Sequence, residues 1–153
     1  MAGHQRTLNL RFLAEPSDVN YGGKVHGGVV MKWIDQAGYA AAVGWAGKYC
    51  VTVAVGGIRF VAPVRIGDLV TVAATLVRTG TSSMQFAVDV RARDPMGGEG
   101  RLCTHCIIVF VALDGVEGTP VPVPPWVPQT DEDRAMAEEG ERVMQAVREP
   151  AKP

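Results

Sequence analysis

The chain has 153 residues, 47% hydrophobic and 20% charged, which suits one domain with a sizeable core and leaves little room for two. Fifteen Lys and Arg stand against 16 Asp and Glu, a net charge of −1, so there is no basic footprint for nucleic acid or an anionic membrane. An anionic substrate must then be held by a few local cations. No apolar stretch makes a membrane span of ~18 residues, because the most apolar segment carries Lys32, Asp35 and Gln36. The start, Met-Ala-Gly-His-Gln-Arg, lacks an apolar signal core, and three cysteines make no disulfide framework. Both features lead to the expectation of a cytoplasmic protein.

Residues 6–14 alternate Leu8, Leu10 and Phe12 against Thr7, Asn9 and Arg11, which predicts a half-buried strand. Pro16, Ser17, Asp18 and the glycines up to Gly28 predict a loop. Residues 29–46 are Ala-rich and free of proline, a helix that reads as buried almost all round and stops at Gly44 and Gly47. From residue 50 the period changes to two. Val-rich strands are predicted at 50–61, 68–79, 83–93 and 101–113, separated by Pro63 and Gly67, by Thr79-Gly80-Thr81-Ser82, and by Asp94-Pro95-Met96-Gly97-Gly98. In the third of these, Met84, Phe86, Val88 and Val90 share one face and Gln85, Asp89, Arg91 and Arg93 the other. The run from Leu102 to Ala112 is apolar on both faces apart from Thr104 and His105, so it belongs in the sheet centre or under another subunit.

Strand, long helix and four strands predict an α+β fold, an antiparallel sheet wrapped around one helix, within a single domain at 1–118. The sheet's other face and one edge are left for a homodimer or larger assembly to cover. Residues 119–153 differ in composition. Thr119 to Pro128 is a Pro-rich strap, and 130–148 is a helix with Thr130 as cap and Asp131, Glu132 and Asp133 in its first turn. Only Met136, Val143, Met144 and Val147 are apolar there, which predicts a solvated surface helix.

The chemistry concentrates in Asn20-Tyr21-Gly22-Gly23-Lys24-Val25-His26-Gly27-Gly28 and in Asp35 on the helix that follows. An aspartate with Val29, Val30, Met31, Ile34, Ala37, Ala40, Ala41 and Val43 around it is expected to be partly buried, which suits a general base. The structural alternative is an i,i+3 ion pair with Lys32. From its residue type and place Asn20 reads first as an Asx-turn residue. Gly27 and Gly28 fall where a helix begins, so their N–H groups lack intrahelical acceptors and a carbonyl can approach closely. His26 reads as a hydrogen-bonding residue beside the turn. Cys103-Thr104-His105-Cys106 looks like a metal hook, but on a strand Cys103 and Cys106 point to opposite faces, so no metal site is expected. No phosphate-loop or dinucleotide fingerprint is present.

Taken together, these pieces resemble the hotdog-fold acyl-CoA thioesterases (acyl-CoA hydrolases). The resemblance rests on Pro16-Ser17-Asp18-Val19-Asn20, Gly23-Lys24-Val25-His26-Gly27-Gly28, Lys32-Trp33-Ile34-Asp35-Gln36-Ala37, Tyr49-Cys50-Val51-Thr52, Ile66-Gly67-Asp68, Thr81-Ser82-Ser83-Met84 and Pro120-Val121-Pro122-Val123-Pro124-Pro125, in order along residues 8–128. It implies a curved antiparallel sheet around one long helix, acyl-CoA as substrate, and no cofactor beyond the substrate's own CoA. It further implies a homodimer with active sites at the subunit interface, assembled as a hexamer (a trimer of dimers). Asn20 and Asp35, from different subunits, would be the catalytic pair, with Asp35 as base or nucleophile, Gly28 and Gly27 holding the oxyanion, and Thr52 orienting water. Ser82, Ser83, Arg59, Arg93 and Lys24 are the candidates for contact with CoA. Lys24 departs from the Asn or Asp common among relatives, and a cation there is placed to pair with Asp35 or to meet CoA. Two other readings compete: an acyl-thioester dehydratase or hydratase using His26 and Asp35, and a non-catalytic acyl-CoA-binding or regulatory protein.

Overall fold

The computed structural model describes residues 2–149; Met1 and residues 150–153, the last of the segment read as strap and helix, lie outside the described residues. The elements run β1 (Thr7–Leu13), a 3₁₀ turn (Pro16–Asp18), α1 (Gly27–Ala46), β2 (Tyr49–Phe60), β3 (Leu69–Thr79), β4 (Ser83–Arg93), β5 (Arg101–Leu113) and α2 (Asp131–Arg148). All four strand pairings are antiparallel, in the order β1-β3-β4-β5-β2, so β2 is an edge strand and β5 lies inside the sheet. This is the hotdog arrangement that the resemblance implies.

α1 lies along the sheet's inner face. Val30, Ile34, Ala37 and Ala41, at helical spacing, are buried together with Met84, Phe86, Val88 and Val90 of β4 and Ile108 and Phe110 of β5. The approach is close enough to require Gly38, where a Cβ would stand 2.7 Å from Phe110 Cε2. The helix starts at Gly27, two residues earlier than predicted, and Gly44 lies within it. Gly47 alone ends it, at φ +64°, with its N–H donating to Val43 O at 2.8 Å. The expectation of burial all round is corrected. Lys32, Asp35, Gln36 and Tyr39 are exposed, because one sheet covers one side of a helix and nothing in the same chain covers the side beyond the β2 edge.

The C-terminal segment also departs from its reading. The strap runs along the core: Val123 is buried in the α1 cluster, its N–H donates to Thr81 O at 2.9 Å, and Trp45 Nε1 donates to Pro124 O at 2.8 Å. α2 is capped by Thr130 as expected, but it is packed rather than solvated. Its apolar residues share one face, and that face lies on the sheet's outer surface against Val77, Ala87, Ile107 and Val109, burying Met144. The sequence signal was weak because four apolar residues suffice for an outer face that is itself half polar. Across this interface Arg6 pairs with Asp133 at 2.7 Å, and its guanidinium stacks 4.1 Å above the Trp126 ring.

A β-bulge at Cys103, where Val90 and Arg91 oppose Thr104 and Leu102, shifts the strand's parity. Cys103 and Cys106 therefore both enter the α1-side core instead of pointing to opposite faces. Burial raises the Cys106 thiol to about 12 and Cys50 to about 11, so both stay protonated. Among the described residues no group of three or more His, Cys, Asp or Glu side chains is arranged to hold a metal ion, and no helix is long and apolar enough to cross a membrane.

His105 joins the sheet to α2. Its Nδ1 lies 2.6 Å from Asp89 Oδ1 and its Nε2 3.2 Å from Glu139 Oε1. The hydrogen bond to Asp89 raises the imidazole pKa above its ordinary value, against the opposing effect of burial. A group raised on folding contributes its stability fully below the unfolded value, about 6.5, and loses it as pH climbs through the folded value. His105→Gln is therefore expected to lower the urea unfolding midpoint near about pH 5.5 and to differ less from the parent as pH rises. A gap that holds constant with pH would mean that the ring contributes through packing alone.

Candidate active site

Asn20 lies in the loop between the 3₁₀ turn and α1, and its side chain builds a tight turn. Oδ1 accepts from Gly22 N at 2.9 Å and Lys24 N at 3.3 Å, while Asn20 N donates to Lys24 O at 2.8 Å. Gly23 supplies the left-handed residue of this turn, at φ +74°. The Asx-turn reading and the functional one are thus compatible. The carbonyl oxygen is used by the loop, and the Nδ2 amide has no acceptor among the described residues and is left to donate outward from an exposed position.

His26 occupies the N-cap of α1 with no side-chain capping bond, and its backbone carbonyl accepts from Val29 and Val30 at 3.0 and 3.1 Å. The N–H groups of Gly27 and Gly28 precede that first intrahelical bond and have no acceptor among the described residues. A Cβ at Gly28 would meet nothing within 4 Å, so the space in front of it is open. A cavity of about 360 Å³ adjoins this point, lined by Asn20, Lys24, Gly27, Val30, Phe60 and Thr104 among others. Backbone donors and the helix dipole at one end of a mostly apolar cavity can stabilise a localised negative charge.

Asp35 lies elsewhere on the helix. Seven residues separate it from Gly28, about 10 Å along the axis. Its Oδ1 accepts from Thr52 Oγ1 of β2 at 2.6 Å, which fixes one carboxylate oxygen and leaves the other free. The pairing with Lys32 is not formed, and Lys24 does not reach Asp35 either; neither lysine is in an ion pair among the described residues. The chain thus presents two groups: donors at Asn20, Gly27 and Gly28, and an acceptor at Asp35 with Thr52. The first lies beside the Phe60 end of β2 and the second beside its beginning.

The CoA candidates are scattered. Ser82 and Ser83 lie in the β3–β4 turn, whose carbonyls are partly used by neighbours: Ser82 O accepts from Ala112 N at 3.0 Å and Ser83 O from Gly80 N at 2.9 Å. Arg93 is at the other end of β4, ten residues and about 33 Å from Ser83, so the two cannot hold one phosphate. Arg59 is exposed on β2 and free of ion pairs among the described residues. Sequence reasoning used Asp68 only within the Ile66-Gly67-Asp68 piece of the resemblance and missed its pair with Arg101, 2.5 Å away at the β2–β3 connection. The Gly67-Asp68 step after Pro63 was their visible trace.

The model of the thioesterase superfamily matches residues 22–99. The chain is 36% identical over 124 residues to the acyl-CoA thioester hydrolase YciA of Salmonella typhimurium, covering 78% of this chain and 92% of that one. Its structure is similar to that of an acyl-CoA hydrolase from Staphylococcus aureus solved with butyryl coenzyme A, coenzyme A and coenzyme A disulfide. The TM-score is 0.84 and the identity 26%, over 96% of this chain and 89% of the other. An apo-hexameric acyl-CoA thioesterase matches with a TM-score of 0.86 and 27% identity, over 95% and 93%. Three further structures of the S. aureus enzyme carry single alanine replacements: at an asparagine, at an aspartate fifteen positions later, and at a threonine seventeen positions after that. The chain belongs to the thioesterase superfamily.

Proposed function

We propose that this protein hydrolyses acyl-CoA to the free carboxylic acid and CoA, with Asp35 as general base. The observation that carries the reading is the Thr52–Asp35 hydrogen bond at 2.6 Å on a helix exposed beside an unpaired strand edge. Asn20, Asp35 and Thr52 also stand fifteen and seventeen positions apart, the residue types and intervals of the three alanine replacements in the S. aureus hydrolase.

In the reaction, the free Asp35 oxygen takes a proton from water as the water oxygen attacks the thioester carbonyl carbon. The carbonyl oxygen becomes an oxyanion, facing the Gly27 and Gly28 N–H groups and the Asn20 amide, donors already oriented before charge develops. Collapse of the tetrahedral adduct breaks the C–S bond, and the proton held by Asp35 goes to the CoA sulfur. Thr52 keeps the carboxylate from turning away. This assigns His26 no chemical step.

Donors and acceptor meet across two chains. β2 is an edge with unpaired backbone groups, and Val53, Phe60 and Val61 along it are 53%, 58% and 62% exposed. Antiparallel pairing of two β2 edges about a two-fold axis sets the Phe60 end of one strand opposite the Thr52 end of the other. Asn20, Gly27 and Gly28 of each copy then approach Asp35 of its mate. Dimers of this kind assembling three at a time would give a hexamer, the assembly of the matched apo-thioesterase. Lys24, on the rim of the cavity beside Gly27, is placed for a CoA phosphate, and a cytoplasmic location fits three free thiols.

The test is free-thiol release from a panel of acyl-CoAs running from acetyl to long-chain, with the acid product measured alongside. Thiol and acid released in equal amounts is the expected result. Binding without release at every chain length would favour an acyl-CoA-binding protein, and hydration of an enoyl-CoA without thiol release a hydratase.

A further inference from the structure

Asn20 sits on neither helix nor strand, yet a donor in a catalytic site must be held within a fraction of an ångström of its target. What holds it can be followed bond by bond. The turn that Asn20 closes continues into Gly23–Val25, and this piece is laddered onto the β2–β3 connection. Val25 N donates to Val64 O at 2.8 Å, Ile66 N to Gly23 O at 3.3 Å, and Lys24 faces Arg65 in an antiparallel bridge.

The connection itself has no strand or helix, and one ion pair pins it from beneath. Arg101, the first residue of β5, donates from Nε and Nη2 to Pro63 O at 3.2 and 2.9 Å and from Nη2 to Asp68 Oδ2 at 2.5 Å. The same Asp68 oxygen accepts from Arg65 N at 2.8 Å, and Asp68 N donates to Arg65 O at 3.0 Å. Asp68 is 8% exposed, and neither residue touches the cavity beside Gly27. Arg101 is half-buried and Asp68 buried; such an ion pair is weak evidence of stability, since desolvation offsets much of its attraction, but it imposes one geometry on what it joins.

We propose that Asp68 and Arg101 are positioning residues that aim the Asn20 amide through the Arg65–Lys24 backbone ladder, an inference that rests on Asn20 being a donor at the thioester. Arginine is needed because its planar fork reaches a carbonyl and a carboxylate at once, which a lysine ammonium does less well.

The experiment is a double-mutant cycle on the full chain with acyl-CoA as substrate. Arg101→Met is expected to lower kcat about tenfold or more with KM changed less than about twofold, the pattern of a misaimed catalytic group. Arg101→Lys should recover part of the loss. In an Asn20→Ala background Arg101→Met should cost less than about twofold further, because the group it aims is gone. Equal losses in both backgrounds would overturn the proposal. Amide exchange provides a reading independent of catalysis: Gly22 and Lys24 N–H, held by Asn20 Oδ1, should exchange faster in Arg101→Met while the β4 and β5 amides keep their protection. Unchanged exchange at those two positions would also overturn it. If Asn20→Ala alone keeps full turnover, the catalytic role of Asn20 falls and the exchange result decides the positioning. Asp68→Asn carries the same comparison if Arg101→Met fails to fold.

Discussion

Asp35→Asn is expected to reduce thioester hydrolysis about 10²–10⁴-fold, the usual worth of a positioned general base, while leaving CoA affinity and assembly unchanged. The substitution isolates one property. An asparagine has the volume of the aspartate, and its carbonyl oxygen can still accept from Thr52 Oγ1, so the 2.6 Å contact that orients the group can survive. What is lost is the ability of the second oxygen to take a proton from water. A residue that merely braced α1 against β2 would tolerate the exchange with little change in rate. The measurement is single-turnover thiol release beside calorimetric CoA binding. A mutant that binds CoA as the parent does and turns over at the parental rate would remove Asp35 from the chemistry.

Local signals in the sequence reached the fold well. The period change at residue 50 and the face division of Met84, Phe86, Val88 and Val90 against Gln85 and Asp89 reflect a sheet whose inner face lies against α1, and both are local patterns. The free N–H groups of Gly27 and Gly28 were legible for the same reason: glycines before a helix expose backbone donors wherever the helix goes. What failed was non-local. The burial of Asp35 was inferred from its apolar neighbours, but burial depends on what lies across the β2 edge. The parity of Cys103 was lost to a bulge whose cause is the pairing of β4 with β5. The docking of α2 depended on complementary outer positions in four strands, which the helix's own sparse apolar pattern could not announce. The pairing of Asp68 with Arg101 was missed because residues 33 positions apart carry no shared local pattern.

Mixing two inactive variants is expected to restore activity. In the proposed dimer the donors at Asn20, Gly27 and Gly28 of one copy face Asp35 of the other, so each site would draw one half from each of two copies. Asn20→Ala impairs the donor half and Asp35→Asn abolishes the acceptor half. In a mixed dimer, one site receives both mutated halves, while the other receives intact donors from the Asp35→Asn chain and an intact carboxylate from the Asn20→Ala chain. Random exchange of equal amounts makes half the dimers mixed, each with one working site of two, so activity should rise to about a quarter of the parental value. Each variant alone should remain far below that, Asp35→Asn at or under about 1%. The variants would be unfolded together, refolded and assayed for thiol release, with each refolded alone as control. Recovery needs no new contact, only that the site be shared, and a trimer of such dimers gives the same fraction because each site lies within one dimer. If the mixture stays at the average of its two components, the two half-sites act within one chain, and the β2 edge must then join copies, if at all, without completing the chemistry.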